Sequence, residues 1–176
     1  MFNRILVAVD RSEMSIKVFE QALSLAKITS ANLMLLHVLS QEEEGSPEAL
    51  IFPNIDYYPG WNEQSFQLYQ EHWEKFKNEG LQMLQSWSAQ ANKSGVNTEF
   101  TQNTGNPGRR ICELAIDWNA DLIMMGRRGR SGIAEFFLGS VSNYVLHHAP
   151  CSVQIVHPPV ASKAANVTSA ATTLSN

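Results

Sequence analysis

A three-layer α/β/α sandwich around a five-stranded parallel sheet is the fold class this sequence predicts, on three observations. Short β-rich runs alternate with amphipathic stretches through five strands, which implies parallel pairing and right-handed crossovers. The runs Ile5–Val9 and Leu33–Leu36 are continuously apolar, as strands buried on both faces read. Recognisable hairpin turns, which an antiparallel α+β fold would need, are missing between successive strands.

The elements follow in order. Arg4–Val9 is the first strand. Asp10–Ser30 is helical, with Ile16, Phe19, Leu23 and Ala26 at spacings of three and four and Ser12 placed as N-cap. Asn32–Leu39 is the second strand. Asn62–Ser94 is a long helix carrying Phe66, Tyr69, Trp73, Phe76, Gly80, Leu84, Trp87 and Ala91 on one face. Such a stripe reads as core or dimer packing before it reads as a stacking platform. Val96–Gln102 is the third strand, and Pro107–Asn119 a helix opened by an Asn106 cap and an N1 proline. Asp121–Met125 is the fourth strand, and Ser140–His148 a short helix ending at Ala149-Pro150, where proline forces extended chain. Ser152–His157 is the fifth.

Two segments fall outside the alternation. Gln41–Gly60 carries Glu42-Glu43-Glu44, three prolines and two tyrosines. A loop of that length after a strand is either a ligand-side feature or a solvated insertion. Residues 159–176 are Ala/Ser/Thr-rich with one charge, Lys163, and read as a disordered tail. The expected domain is therefore 1–158, interrupted by the 41–60 insertion.

Composition sets limits on function. The chain has 176 residues, 44% apolar and 17% charged, with a net charge of −4. That length suits one domain with its own core. A mildly acidic balance argues against a dedicated nucleic-acid or anionic-membrane binder. No apolar run approaches the roughly 18 residues of a membrane helix, and the N-terminus lacks a signal-peptide pattern. Cys112 and Cys151 are too few for a disulfide scaffold and lack metal-ligand spacing. A cytoplasmic protein is expected.

In a parallel α/β sheet the ligand crevice opens at the carboxyl ends of the strands. Asp10, Val38–Ser40 and Gly126–Gly132 occupy such ends. The last segment, Gly126-Arg127-Arg128-Gly129-Arg130-Ser131-Gly132, combines glycines that permit close backbone approach with planar cationic donors suited to phosphate. Gly139-Ser140-Val141-Ser142 then opens a helix whose free N–H groups and dipole favour an anion. Together these suggest a polyphosphate ligand. The spacing is Gly-x2-Gly-x9-Gly-Ser, distinct from the Walker A loop and from the dinucleotide fingerprint.

This ordered set resembles the universal stress protein family, of its ATP-binding type. The likeness runs from about Asn3 to Pro158. It includes Ile5-Leu6-Val7-Ala8-Val9-Asp10, Leu35-Leu36-His37-Val38, Gly105-Asn106-Pro107 and Ala120–Gly126, and closes with Gly139–Ser142 and His148–Val153. The resemblance implies sheet order 3-2-1-4-5, with the switch between strands one and four. It implies an adenine nucleotide, whether ATP, AMP or another, held with Mg2+ on its phosphates. The implied contacts are Ala8, Val9 and Asp10 at the first strand end, Val38 at the second, and Met125 and Gly126 at the fourth. Arg128 and Gly129 follow in the loop, and Gly139, Ser140, Val141 and Ser142 at the helix start. It also implies a homodimer paired through Ser152–His157, and a stress-response or signalling switch.

Several residues carry a second reading. Asp10 suits a cap on the following helix as well as a ligand contact. Arg127, Arg128 and Arg130 read either as phosphate contacts or as a solvated loop. His37 reads as a satisfied interior or edge histidine, and both cysteines as inert thiols. Adjacent His147 and His148 cannot converge on a metal as i, i+4 ligands do. ATP hydrolysis needs a base, a metal-holding acid and a charge stabiliser; only Asp10 and the arginines are visible. A slow ATPase or ATP-dependent enzyme on the same fold is the alternative. A phosphoacceptor receiver fails for want of paired acids after strand one and a lysine after strand five.

Overall fold

The computed structural model describes residues 1–43, 45–47, 63–127 and 138–157. Most of the 41–60 insertion, Arg128, Gly129 and the expected tail lie outside the described residues. The elements are β1 (Arg4–Val9), α1 (Glu13–Thr29), β2 (Asn32–Leu39), α2 (Glu63–Lys93), β3 (Thr98–Thr104), α3 (Pro107–Asp117), β4 (Leu122–Gly126), α4 (Ser140–His148) and β5 (Ser152–Val156). The sheet runs β3-β2-β1-β4-β5, with every neighbouring pair parallel. Both the fold class and the strand order expected from the sequence are present.

Alternation along the central strands divides the core into two layers. Ile5, Val7, Val9, Leu33, Leu35, Leu122 and Met124 pack with Val18, Phe19, Leu84 and Ala91 of α1 and α2. Leu6, Met34, Leu36, Val38, Ile123 and Met125 pack on the other face with Ile111, Cys112 and Ala115 of α3 and Val145 of α4. Both faces of β1, β2 and β4 are therefore covered, which is why these strands read as unbroken apolar runs.

The differences from expectation lie at element ends. Val96 is buried but stands outside β3; its N–H bonds the Ala91 carbonyl and closes α2, with Gly95 at φ +83° making the turn. An apolar residue there satisfies the core without joining the ladder. Likewise α1 begins at Glu13, because Asp10–Ser12 form its cap. Of the aromatic face of α2, Phe76, Gly80, Leu84 and Ala91 are buried, and Trp87 stacks on Phe19 with ring centroids 5.0 Å apart. The helix is 31 residues long, about 46 Å at 1.5 Å per residue, and Leu68 in its first turns is exposed.

Candidate functional site

The switch between β1 and β4 brings the sequence-predicted positions to the carboxyl edge of the sheet. β1 pairs with β2 up to Val9 opposite His37. β2 continues two residues further, pairing Val38 with Asn103 and Leu39 with Thr104 on its other side. Val38 thus stands beyond the last β1 partner, its side chain buried in the α3–α4 layer. On the other side of β1, Ala8 is level with Met125.

Asp10 follows β1 directly and turns its carboxylate onto the start of α1. Its Oδ1 accepts from the Ser12 N–H at 3.0 Å, from the Ser12 hydroxyl, and from the Ser15 hydroxyl at 2.8 Å. The Asp10 N–H donates to Ser15 Oγ at 2.8 Å. Ser12 takes the N-cap position, but its side chain makes no cap bond, being held by Asp10 instead. Asp10 thus sets its carboxylate at the positive end of the helix, on the N–H and hydroxyl of the N-cap residue and on the Ser15 hydroxyl.

At the end of β4, Gly126 lies under α1. A Cβ there would stand 2.7 Å from Met14 Cγ and 3.3 Å from Val18 Cγ2, so α1 approaches closely enough that any side chain here would have to push Met14 aside. The Arg127 N–H bonds the Val156 carbonyl at 3.0 Å, carrying the ladder one residue past β4. Ser142, 1% exposed, donates its hydroxyl to the Gly126 carbonyl at 3.4 Å and ties the first turn of α4 to this strand end.

Gly139 is the N-cap of α4, at φ −59° and ψ 159°. The first helical bond runs from the Asn143 N–H to the Gly139 carbonyl. The amides of Ser140, Val141 and Ser142 precede that bond and have no helical acceptor. Ser140 is exposed and Val141 half-buried. The Ser142 bond brings the beginning of a nine-residue helix to the β4 end, where its amide groups and dipole favour an anion.

One feature of this edge was not foreseen. Glu43, within the acidic run, is 6% exposed and His37 is fully buried. His37 Nε2 lies 3.0 and 2.9 Å from the two Glu43 carboxylate oxygens. Glu43 Oε1 also accepts the Arg11 N–H at 3.0 Å. The sequence left the insertion that carries Glu42-Glu43-Glu44 as either a ligand-side feature or a solvated loop and did not single out Glu43; the available signal was His37 itself, a polar ring in an apolar strand that requires a buried partner.

Elsewhere, burial first and the Glu113 charge second raise the Cys112 pKa. Burial, then Asp121, then Cys112 do the same for Cys151. Both thiols are free. Among the described residues no cluster of three or more His, Cys, Asp or Glu could hold a metal, and no helix is long and apolar enough to cross a membrane.

The model of the universal stress protein family matches residues 1–157. Universal stress protein Sll1388 of Synechocystis is 41% identical over 158 residues, covering 88% of this chain and 97% of its own. Among solved structures, UspA from Lactobacillus plantarum superposes with a TM-score of 0.67 at 24% identity, covering 88% of this chain and 97% of that one. An Arabidopsis thaliana family protein with AMP bound gives 0.58 at 21% identity, covering 88% and 91%. A universal stress protein in complex with cAMP gives 0.57 at 22%, covering 89% and 97%. At those identities the structural likeness speaks for the fold, while the family match and the relative at 41% speak for descent. On the match over residues 1–157 and the relative at 41%, this chain, with its β3-β2-β1-β4-β5 sheet, belongs to the universal stress protein family.

Proposed function

We propose that this chain binds an adenine nucleotide of the ATP type and acts as a cytoplasmic, dimeric stress-response or signalling switch. The observation that carries this reading is the α4 N-terminus at the β4 end, tied there by Ser142 to Gly126. Its first-turn amides offer an anion site, and the Gly126-x2-Gly129-x9-Gly139-Ser140 spacing surrounds it in sequence. Phosphates would lie against Gly126, Arg128, Gly129 and Gly139–Ser142, with Mg2+ neutralising their charge. The base would lie against Ala8, Val9, Asp10, Val38 and Met125. That relatives of this fold carry AMP or cAMP supports an adenine nucleotide. β5 is an edge strand with Val153 and Ile155 half-buried, which suits pairing with a second copy.

A ligand bound only by the folded state raises stability by mass action, about 2.7 kcal/mol at a hundredfold excess over Kd. Millimolar ATP with magnesium should therefore raise the melting temperature by several degrees. Ser140→Glu and Gly129→Trp should abolish the rise by placing charge or bulk where phosphates belong. Absence of any shift in the wild type would end the reading. Light scattering should give twice the 19.6 kDa chain mass.

A further inference from the structure

The buried Glu43 carboxylate is more than a loop anchor, because its partners fix which atom does what. Gln102 Nε2 donates to the Lys77 carbonyl at 3.0 Å and lies 3.0 Å from His37 Nδ1. An amide nitrogen only donates, so Nδ1 is the acceptor and the imidazole proton resides on Nε2, facing Glu43. Turning the Gln102 amide over would set its oxygen against the Lys77 carbonyl. The His37–Glu43 bond is thus a donor meeting a carboxylate, both removed from water, where a charged acceptor needs all of its partners.

That bond links two chain segments. Arg11, whose N–H binds Glu43 Oε1, follows Asp10 at the end of β1. Its guanidinium lies over the Phe76 ring at 4.9 Å and pairs with Glu79 Oε2 at 2.5 Å, so α2 holds it from beneath. His37, whose Nε2–H binds the same carboxylate, precedes Val38 on β2. Gly80 makes room for the arrangement, since a Cβ there would stand 2.4 Å from the His37 ring and 2.7 Å from Gln102 Nε2. Asp10 and Val38 are therefore each one residue away from a group bound to Glu43.

We propose that Glu43, oriented by His37, is a positioning residue for the nucleobase end of the site, holding the chain leaving β1 in register with the chain leaving β2. The proposal rests on the nucleotide-binding reading above. Among the described residues the Glu43 carboxylate is bonded to His37 and the Arg11 N–H, at the β1 and β2 ends, so its loss should weaken AMP and ATP by the same factor.

Calorimetric titration of the full chain with AMP and with ATP plus magnesium tests this. Glu43→Ala should weaken both nucleotides about tenfold, the scale of a lost hydrogen bond to a charged group. Glu43→Gln keeps a carbonyl for the Arg11 N–H but sets an amide against the His37 Nε2–H, and should weaken both about threefold. Leu84→Ala, in the same core layer but outside this network, should lower the melting temperature with nucleotide affinity unchanged. Amide hydrogen exchange at Arg11 should quicken in Glu43→Ala and stay slow in Leu84→Ala.

Wild-type affinity in Glu43→Ala, or an equal loss in Leu84→Ala, overturns the proposal while the nucleotide site stands. Wild-type chain that binds neither nucleotide overturns the site and the proposal together. Should the alanine variant not fold, Glu43→Gln decides alone: a threefold loss supports the proposal and unchanged affinity overturns it.

Discussion

At Gly80 a single methyl group would stand 2.4 Å from two atoms of a fully buried imidazole. Alanine is the better helix former by about 1 kcal/mol, but His37 is held at both ring nitrogens and cannot yield easily. Overpacking a filled core costs about 1–3 kcal/mol, so the clash outweighs the propensity. Gly80→Ala should lower stability by up to about 2 kcal/mol, read as a fall in melting temperature. Gly126 differs: a Cβ there meets the Cγ of Met14, an unbranched side chain that can move aside. Gly126→Ala should cost less stability, so any larger loss of nucleotide binding would report on the site and not on folding. The sequence marked both glycines, Gly80 as part of a helix face and Gly126 as part of a ligand loop. Neither reading contained the side chain that forbids a Cβ, because that neighbour comes from another element.

Elements began and ended close to where local chemistry put them, and the differences lie in which neighbouring groups claimed the terminal residues. α3 opens as its sequence promised, with the Asn106 side chain accepting the Arg109 N–H at 3.0 Å ahead of Pro107. Asn106→Ala should destabilise the protein by about 1 kcal/mol, measured by urea unfolding. α1 shows the opposite case. Ser12 has the N-cap backbone, yet its hydroxyl serves Asp10, which also holds the Ser12 N–H and the Ser15 hydroxyl. Propensity places the helix within two or three residues; competition among neighbouring oxygens settles which one caps it. The C-terminal end of α2 follows the same logic, since the Val96 amide bonds a helix carbonyl while its side chain enters the core.

Over the whole molecule, one sheet separates two chemical environments. The α3–α4 layer contains both thiols, Cys112 buried among Leu6, Ile111 and Val145, and Cys151 against the same cluster. Burial raises both pKa values. Because a thiol carries its proton to higher pH when folded, the stability it contributes is full below the ordinary thiol range. It is then lost as pH rises through the folded value. Iodoacetamide at pH 8 should alkylate both residues more slowly than free cysteine, Cys112 slowest, and denaturant should abolish the difference. The carboxyl edge of the sheet collects the strand ends, the α4 start and the Glu43 network, so on the proposed reading ligand response and core stability are separable. Variants at Ser140 or Glu43 should change ligand response out of proportion to stability.

What the sequence by itself determined follows from short-range rules. Apolar continuity marked strands buried on both faces, spacing of three and four marked helices, and the proline and asparagine before α3 set its start. The glycine and serine pattern of Gly126–Ser142 placed the candidate phosphate end, and the ordered motifs carried the family. Tertiary structure alone decided that Glu43 leaves solvent while Gln41 and Glu42 beside it stay exposed. It also decided that Gly126 and Gly80 admit neighbouring side chains, and that His37 presents Nε2–H to a carboxylate. The physical reason is range. Helix and strand preferences arise from neighbours a few residues away, whereas a buried charge or a missing Cβ is set by partners as distant as His37 and Gln102, which meet only once β2 and β3 are paired.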